Sequence, residues 1–160
     1  MGITKTHCEC PTSSRTSSRS NAAVAAPPTI EVLTPDFRGD LDQVDRIIDA
    51  GPEVYNHNVE TVPRLYRAVR RSGRYEWALQ VPHRVAERAP AMLRKSGIMV
   101  GLGETSDEVL AVLHDLAKAR CQVVTIGQYL QPTPEQVPVD RYWRPEEFDE
   151  LDAAGRAIGL

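Results

Sequence analysis

Cysteines, aromatic residues and long apolar runs are all scarce in this sequence of 160 residues. Its three cysteines, Cys8, Cys10 and Cys121, are odd in number and irregular in spacing. That argues against a disulfide framework and fits a reducing compartment. No apolar stretch approaches the ~20 residues needed to cross a bilayer, so no membrane partner is expected. A net charge of −3 supplies no basic field for nucleic acid. With 41% hydrophobic and 26% charged residues, the chain has the balance of one globular domain able to bury a real core.

Several catalytic signatures are missing as well. There is no Gly-Lys-Ser/Thr phosphate loop, no GxGxxG fingerprint and no Ser-His-Asp elbow. His57, His83 and His114 are scattered without metal-ligand spacing. Cys8 and Cys10 have one residue between them, which fits neither a zinc pair nor an iron–sulfur pattern. Cys121, at the end of a predicted helix, reads as a small buried hydrophobe.

Met1–Pro28 differs from everything after it. It is rich in Ser, Thr, Ala and Pro, has no apolar periodicity, and cannot bury enough surface to offset its ordering entropy. Lys5, Arg15 and Arg19 against Glu9 make it +2, leaving −5 for the remainder. It reads as a disordered or artefactual leader. A cytoplasmic chain is expected, with the mitochondrion or plastid as the alternative if this Arg/Ser-rich start is a transit peptide.

From Thr29 to Leu160 strand-like and helix-like stretches alternate. TIEVLT (29–34), EVYNHNVE (53–60), SGIMVGLG (96–103) and CQVVTIGQYL (121–130) read as strands. Between them, residues 41–51 place Leu41, Val44, Ile47 and Ile48 on one helical face and stop at Gly51. A helical pair follows over 63–71 and 75–89. Residues 105–120 form the clearest helix, opened by a Thr105/Glu108 capping box. A proline-bearing loop leads to a last helix over about 145–158. About four tandem β–α units imply an α/β fold with a parallel sheet and right-handed crossovers. The pattern allows a small open sheet or half of a larger β/α barrel.

In such folds ligands sit at the carboxyl ends of the strands. At the second strand end, alternation points Asn56, Asn58 and Glu60 to one side, where amide and carboxylate could grip a polyhydroxyl group such as ribose. Asn and Glu also terminate strands and cap helices, so both readings stand. The third strand ends in Gly97, Gly101, Gly103 and Glu104, a run that lets backbone approach a ligand closely. At the fourth, Tyr129 and Leu130 could pack an aromatic base, although core packing is the commoner role for such an aromatic.

Five segments in register, IEVLTPDFRGD, VYNHNVETVPRLYRAVR, KSGIMVGLGET, IGQYLQPT and VPVDRYWRPEEFDEL, resemble the second half of lipoyl synthase over residues 29–160. The NHN-x-[D/E] segment is shared with biotin synthase, whereas GQYLQP and RYWxPEEF are similar to lipoyl synthase. The resemblance implies part of a radical-SAM β/α barrel. It implies S-adenosylmethionine and two [4Fe–4S] clusters as cofactors, and two-sulfur insertion into an octanoyl chain on a lysine of a lipoyl-carrier domain. Carried over, Asn58 and Glu60 match the motif contacting the ribose and amino-acid part of S-adenosylmethionine. Gly97, Gly101 and Glu104 match the glycine-rich strand, with Met99 in an Ile place, and Leu130 matches the region against adenine.

The cysteines depart from that family. Its Cys-x3-Cys-x2-Cys and auxiliary cysteine triplet precede the strand at 29–34, and nothing in Met1–Pro28 matches them. A serine ligand of the auxiliary cluster lies beyond the last helix in the family. The expectation is a truncated, inactive fragment without cluster ligands. Alternatives are half of a split enzyme completed by a cluster-bearing barrel half, or a non-catalytic protein that binds the carrier domain or S-adenosylmethionine.

Overall fold

The computed structural model describes residues 28–160, so the leader and its Cys8 and Cys10 lie outside the described residues. Four parallel strands, β1 (Glu31–Leu33), β2 (Val54–Asn56), β3 (Leu93–Val100) and β4 (Val123–Gln128), lie in the order β1-β2-β3-β4. The helices are α1 (Leu41–Asp49), the single turn α2 (Tyr66–Val69), α3 (Tyr75–Arg88), α4 (Ser106–Lys118) and α5 (Pro145–Ala157). Neighbouring parallel strands need a crossover at each step, and a right-handed crossover returns every helix to the same side. This is the α/β architecture of a partial β/α barrel.

Local chemistry sets the element ends. Asp40 caps α1 by accepting from Asp42 N at 3.1 Å, and Gly51 (φ 74°) ends it in the left-handed conformation that glycine adopts without strain. Thr105 and Glu108 form the expected capping box of α4. Pro145 opens α5 at a position where a missing N–H is harmless.

Alternation along β3 divides the sheet into two faces. Arg94, Ser96, Ile98 and Val100 are buried against the helices, while Leu93, Lys95 and Met99 are half-buried on the other face. One core joins Ile98, Val100 and Val124 to Val109, Val112, Leu113 and Leu116 of α4 and Leu151 of α5. A second joins Tyr55 to Val44 and Ile48 of α1 and Val81 and Val85 of α3. Asp45 ties α1 to α3 by accepting from Arg84 at 2.6 Å and Arg88 at 2.7 Å. Arg94, although buried among apolar groups, donates to the carbonyls of Pro90, Met92 and Arg120.

Some boundaries differ from the sequence reading. The strand expected over 53–60 is regular only over Val54–Asn56; after His57 N donates to Lys95 O the chain leaves the ladder, and it rejoins β3 through a single bridge from Glu60, at φ 69°, to Ile98. Strand β3 starts at Leu93 rather than Ser96, since β2 takes Leu93–Lys95 as its partners. The helix expected over 63–71 is a 3-10 turn plus the one turn α2, ended by Arg70 at φ −132°. Among the described residues no helix is long and apolar enough to cross a membrane.

Leu113 is fully buried between α4 and the sheet. Leu113→Ala is therefore expected to lower unfolding stability by about 2–5 kcal/mol, read from urea denaturation midpoints. A loss below about 1 kcal/mol would mean that the helix layer is not packed on the sheet as described.

Candidate functional site: the carboxyl rim of the sheet

All four strands point their carboxyl ends to one rim, and the predicted site residues collect there in two groups. The first comprises Asn58, Glu60 and Gly97. Glu60 N donates to Gly97 O at 3.1 Å, and Met99 N donates to Glu60 O at 2.8 Å. A Cβ on Gly97 would lie 2.7 Å from Asn58 Oδ1 and 2.9 Å from Thr125 Oγ1. Glycine is needed because two polar side chains from the flanking segments converge over that backbone.

Glu60 holds a left-handed φ that only a few per cent of non-glycine residues adopt. Burial pushes its carboxyl above the ordinary range, opposed by the nearby Arg70 charge and by hydrogen bonding from Asn58. A strained, desolvated carboxylate beside an amide is a marker of function, and sequence alone carried no sign of the strain.

The second group is Gly101, Glu104 and Leu130. Glu104 is buried and turns back on its own loop, one oxygen accepting from Gly101 N at 2.5 Å and the other from Leu102 N at 2.9 Å. Its carboxylate thus shapes the glycine turn instead of projecting openly from the mouth. Gly101 (φ 103°) lies against the Gln128 amide and Arg141 O, where a Cβ would collide with both. Tyr129 is buried, as its core reading expects, and donates from its hydroxyl to Val137 O at 2.8 Å. Leu130 is 66% exposed beside it.

Two clasps hold these groups, and the sequence reading identified neither. Arg64 grips Glu108 through two hydrogen bonds (2.7 and 2.9 Å) and donates to Gly103 O at 2.8 Å, joining the loop after β2 to the loop after β3. The Arg64 guanidinium and the Thr105 N–H hold the Glu108 carboxyl down at about 2. Arg70 donates to Asn58 O at 3.1 Å and lies 3.3 Å from buried Asp36, joining the loop after β1 to the segment that carries Asn58. Five arginines fall within residues 64–74, and the carboxylate partners of Arg64 and Arg70 lie 44 and 34 residues away.

Buried His57 sits under this rim, its Nδ1 2.7 Å from Thr34 O. A carbonyl only accepts, so Nδ1 carries the proton and Nε2 is left without a partner. Cys121 is buried and burial pushes its thiol up to about 11. It donates toward Arg94 O and Val123 O, as a small buried hydrophobe with a weak donor would.

A family model described as the radical SAM superfamily matches residues 16–116. The chain belongs to the radical SAM superfamily. It is 50% identical over 135 residues to a lipoyl synthase of Xanthomonas oryzae pv. oryzae (strain MAFF 311018), covering 82% of this chain and 40% of that relative. A lipoyl synthase of Klebsiella pneumoniae (strain 342) is 49% identical over 132 residues, again 82% of this chain and 41% of the relative. The chain thus spans about two fifths of the length of these relatives.

Burial lowers the His57 pKa below its ordinary 6.5. The unfolded chain then takes up a proton before the folded one does, so this residue removes stability as pH falls below about 6.5. Raised Glu60 works in the opposite direction as pH falls through its raised range toward 4.5, and comparison with a variant cancels it. Denaturation midpoints at pH 7.5 and 5.0 should fall less on acidification in His57→Gln than in the parent. An equal fall would remove His57 as the cause.

Proposed function

We propose that residues 28–160 form the S-adenosylmethionine-facing part of a lipoyl-synthase-type barrel, acting on an octanoyl chain carried by a lipoyl-carrier domain. The observation that carries this reading is the convergence of Asn58, strained Glu60 and side-chain-free Gly97 on one patch of the rim. In this reading Asn58 and Glu60 take the ribose hydroxyls and the amino-acid end. Gly97 and the Gly101–Glu104 turn let the nucleoside approach the backbone, and Leu130 covers adenine. The cradle suits a nucleoside: a desolvated carboxylate accepts two hydroxyl protons, and an amide both donates and accepts.

S-adenosylmethionine supplies hydrogen-abstracting radical chemistry when it is bound beside a reduced cluster. The described residues do not fit the cluster itself. Among them no group of three or more His, Cys, Asp or Glu could hold a metal ion, and the Cys121 thiol is buried and kept protonated. The reading therefore assigns cluster thiolates to polypeptide other than residues 28–160, and sulfur insertion is not expected from these residues alone. Edge strand β1 supports a completing barrel part, because Ile30 and Leu33 stand 55% and 64% exposed there.

Calorimetry with S-adenosylhomocysteine tests the assignment without a cluster. Binding should weaken about tenfold in Asn58→Ala and in Glu60→Ala, the equivalent of one charge-assisted hydrogen bond each. Unchanged binding in both variants would refute the ribose assignment.

A further inference from the structure

A pocket of about 410 Å³ opens at the rim between the turn after β1 and the turn after α2. Pro35, Phe37, Arg38, Gln43, Arg70 and Ser72 line it, whereas Asn58, Glu60 and Gly97 do not. Hydrogen bonds within each turn fix its walls. Gly39 N donates to Asp36 O and Arg38 N to Asp36 Oδ1, both at 2.9 Å, while Gly73 N donates to Arg70 O at 3.0 Å. The Trp77 ring presses on Gly39, where a Cβ would lie 2.7 Å from its Nε1. The first turn thereby holds three consecutive residues at positive φ: Phe37 (48°), Arg38 (56°) and Gly39 (83°).

Glycine or asparagine would make that turn with less strain than a longer side chain. Phe37 offsets its strain by packing against the core between α1 and α3. Arg120, also left-handed, follows the end of α4, where such a stop and a positive charge are both favourable. Arg38 has neither compensation. It is exposed, and its guanidinium forms no hydrogen bond, ion pair or ring contact with a described residue. A strained residue whose side chain adds nothing to the fold, at the mouth of a pocket, marks a ligand contact. Arg70 is already committed to Asp36 at 3.3 Å and to Asn58 O, so the open charge of the pocket is the single cation of Arg38. We propose that the pocket binds a monocarboxylate with an apolar body, either a small organic acid or the C-terminus of a peptide. The forked N–H groups of Arg38 match the two carboxylate oxygens, the Ser72 hydroxyl supplies a further donor, and Pro35 and Phe37 give apolar contact. A phosphate dianion would bring a second negative charge that only the paired Arg70 could meet, and an ammonium would be repelled by Arg38.

The test titrates the full 15N-labelled chain with N-acetyl-leucine and with its neutral counterpart N-acetyl-leucinamide, at constant ionic strength. The acid should shift the backbone amide signals of Arg38, Ser72 and Gly73 and bind about tenfold more tightly than the neutral compound. Arg38→Asn keeps a residue tolerant of left-handed φ; it should erase that preference and raise the melting temperature by about 3 °C as strain is relieved. Arg67→Asn, at an exposed arginine outside the pocket, should leave the preference intact. Equal binding of acid and neutral compound, an equal loss in both variants, or a lower melting temperature in Arg38→Asn would overturn the inference. The wild-type comparison decides the matter even if Arg38→Asn fails to fold. Tighter binding of acetyl-Ala-Ala-Leu than of N-acetyl-leucine assigns the carboxylate to a peptide terminus, and equal binding assigns it to a small acid. Saturating S-adenosylhomocysteine should leave binding of the acid unchanged; displacement of the acid would merge this pocket with the nucleoside site and overturn the inference. Absence of nucleoside binding with the acid preference intact counts against the proposed function alone.

Discussion

Successive parallel strands cannot be joined by a hairpin, and the hand of the crossover is set by strand twist. In this chain that constraint acts at each step, because strands adjacent in sequence are adjacent in the sheet. Every helix is thereby returned to one face, and every strand carboxyl end to one rim. The apolar alternates of β3, β4 and β2 pack under the helices, while Glu31, Asn56 and Lys95 are left on the opposite face. Both the Asn58, Glu60 and Gly97 patch on the rim and the Glu31, Asn56 and Lys95 cluster on the open face are consequences of that single arrangement.

The rim is held by contacts between loops rather than by the strands alone. Arg64 bridges the loops after β2 and β3, and Arg70 bridges those after β1 and β2. Glu104 supplies the backbone hydrogen bonds of the glycine turn, which otherwise would lose two partners. The segment after β4 locks on through Gln128, whose amide donates to Arg141 O and accepts from Trp143 N, and through Arg141 stacked 4.1 Å over the Trp143 ring. Such cross-loop pinning sets residues with little freedom of their own, as the left-handed φ of Phe37, Arg38 and Glu60 indicates.

Membership of the radical SAM superfamily and likeness to lipoyl synthases place this rim in a family whose hard chemistry belongs to cofactors. The protein's share is then orientation: which polar atoms face the cofactor, which face the substrate, and what separates them. Strand β3 contributes to both polar groups, with Lys95 bound to Glu31 and Gly97 under Asn58, two residues apart on the same face.

Much of the architecture was legible in the residues themselves. The 3.6-residue spacing of α1 and α4, the Thr105/Glu108 box and the glycine endings identified the elements within a few positions. Motif order also put Asn58, Glu60, Gly97 and Gly101 at strand ends, and the structure has them together on one rim. Contacts between distant segments were not legible. The grip of Arg64 on Glu108, the pairing of Arg70 with Asp36 and the orphaned oxygen of Asn56 each depend on which neighbours the sheet brings within 3 Å or so. Local sequence determined the elements, since helix and strand follow from short-range periodicity and capping. Tertiary structure alone decided which polar atoms are left open, since that is settled by partners 20–70 residues away along the chain.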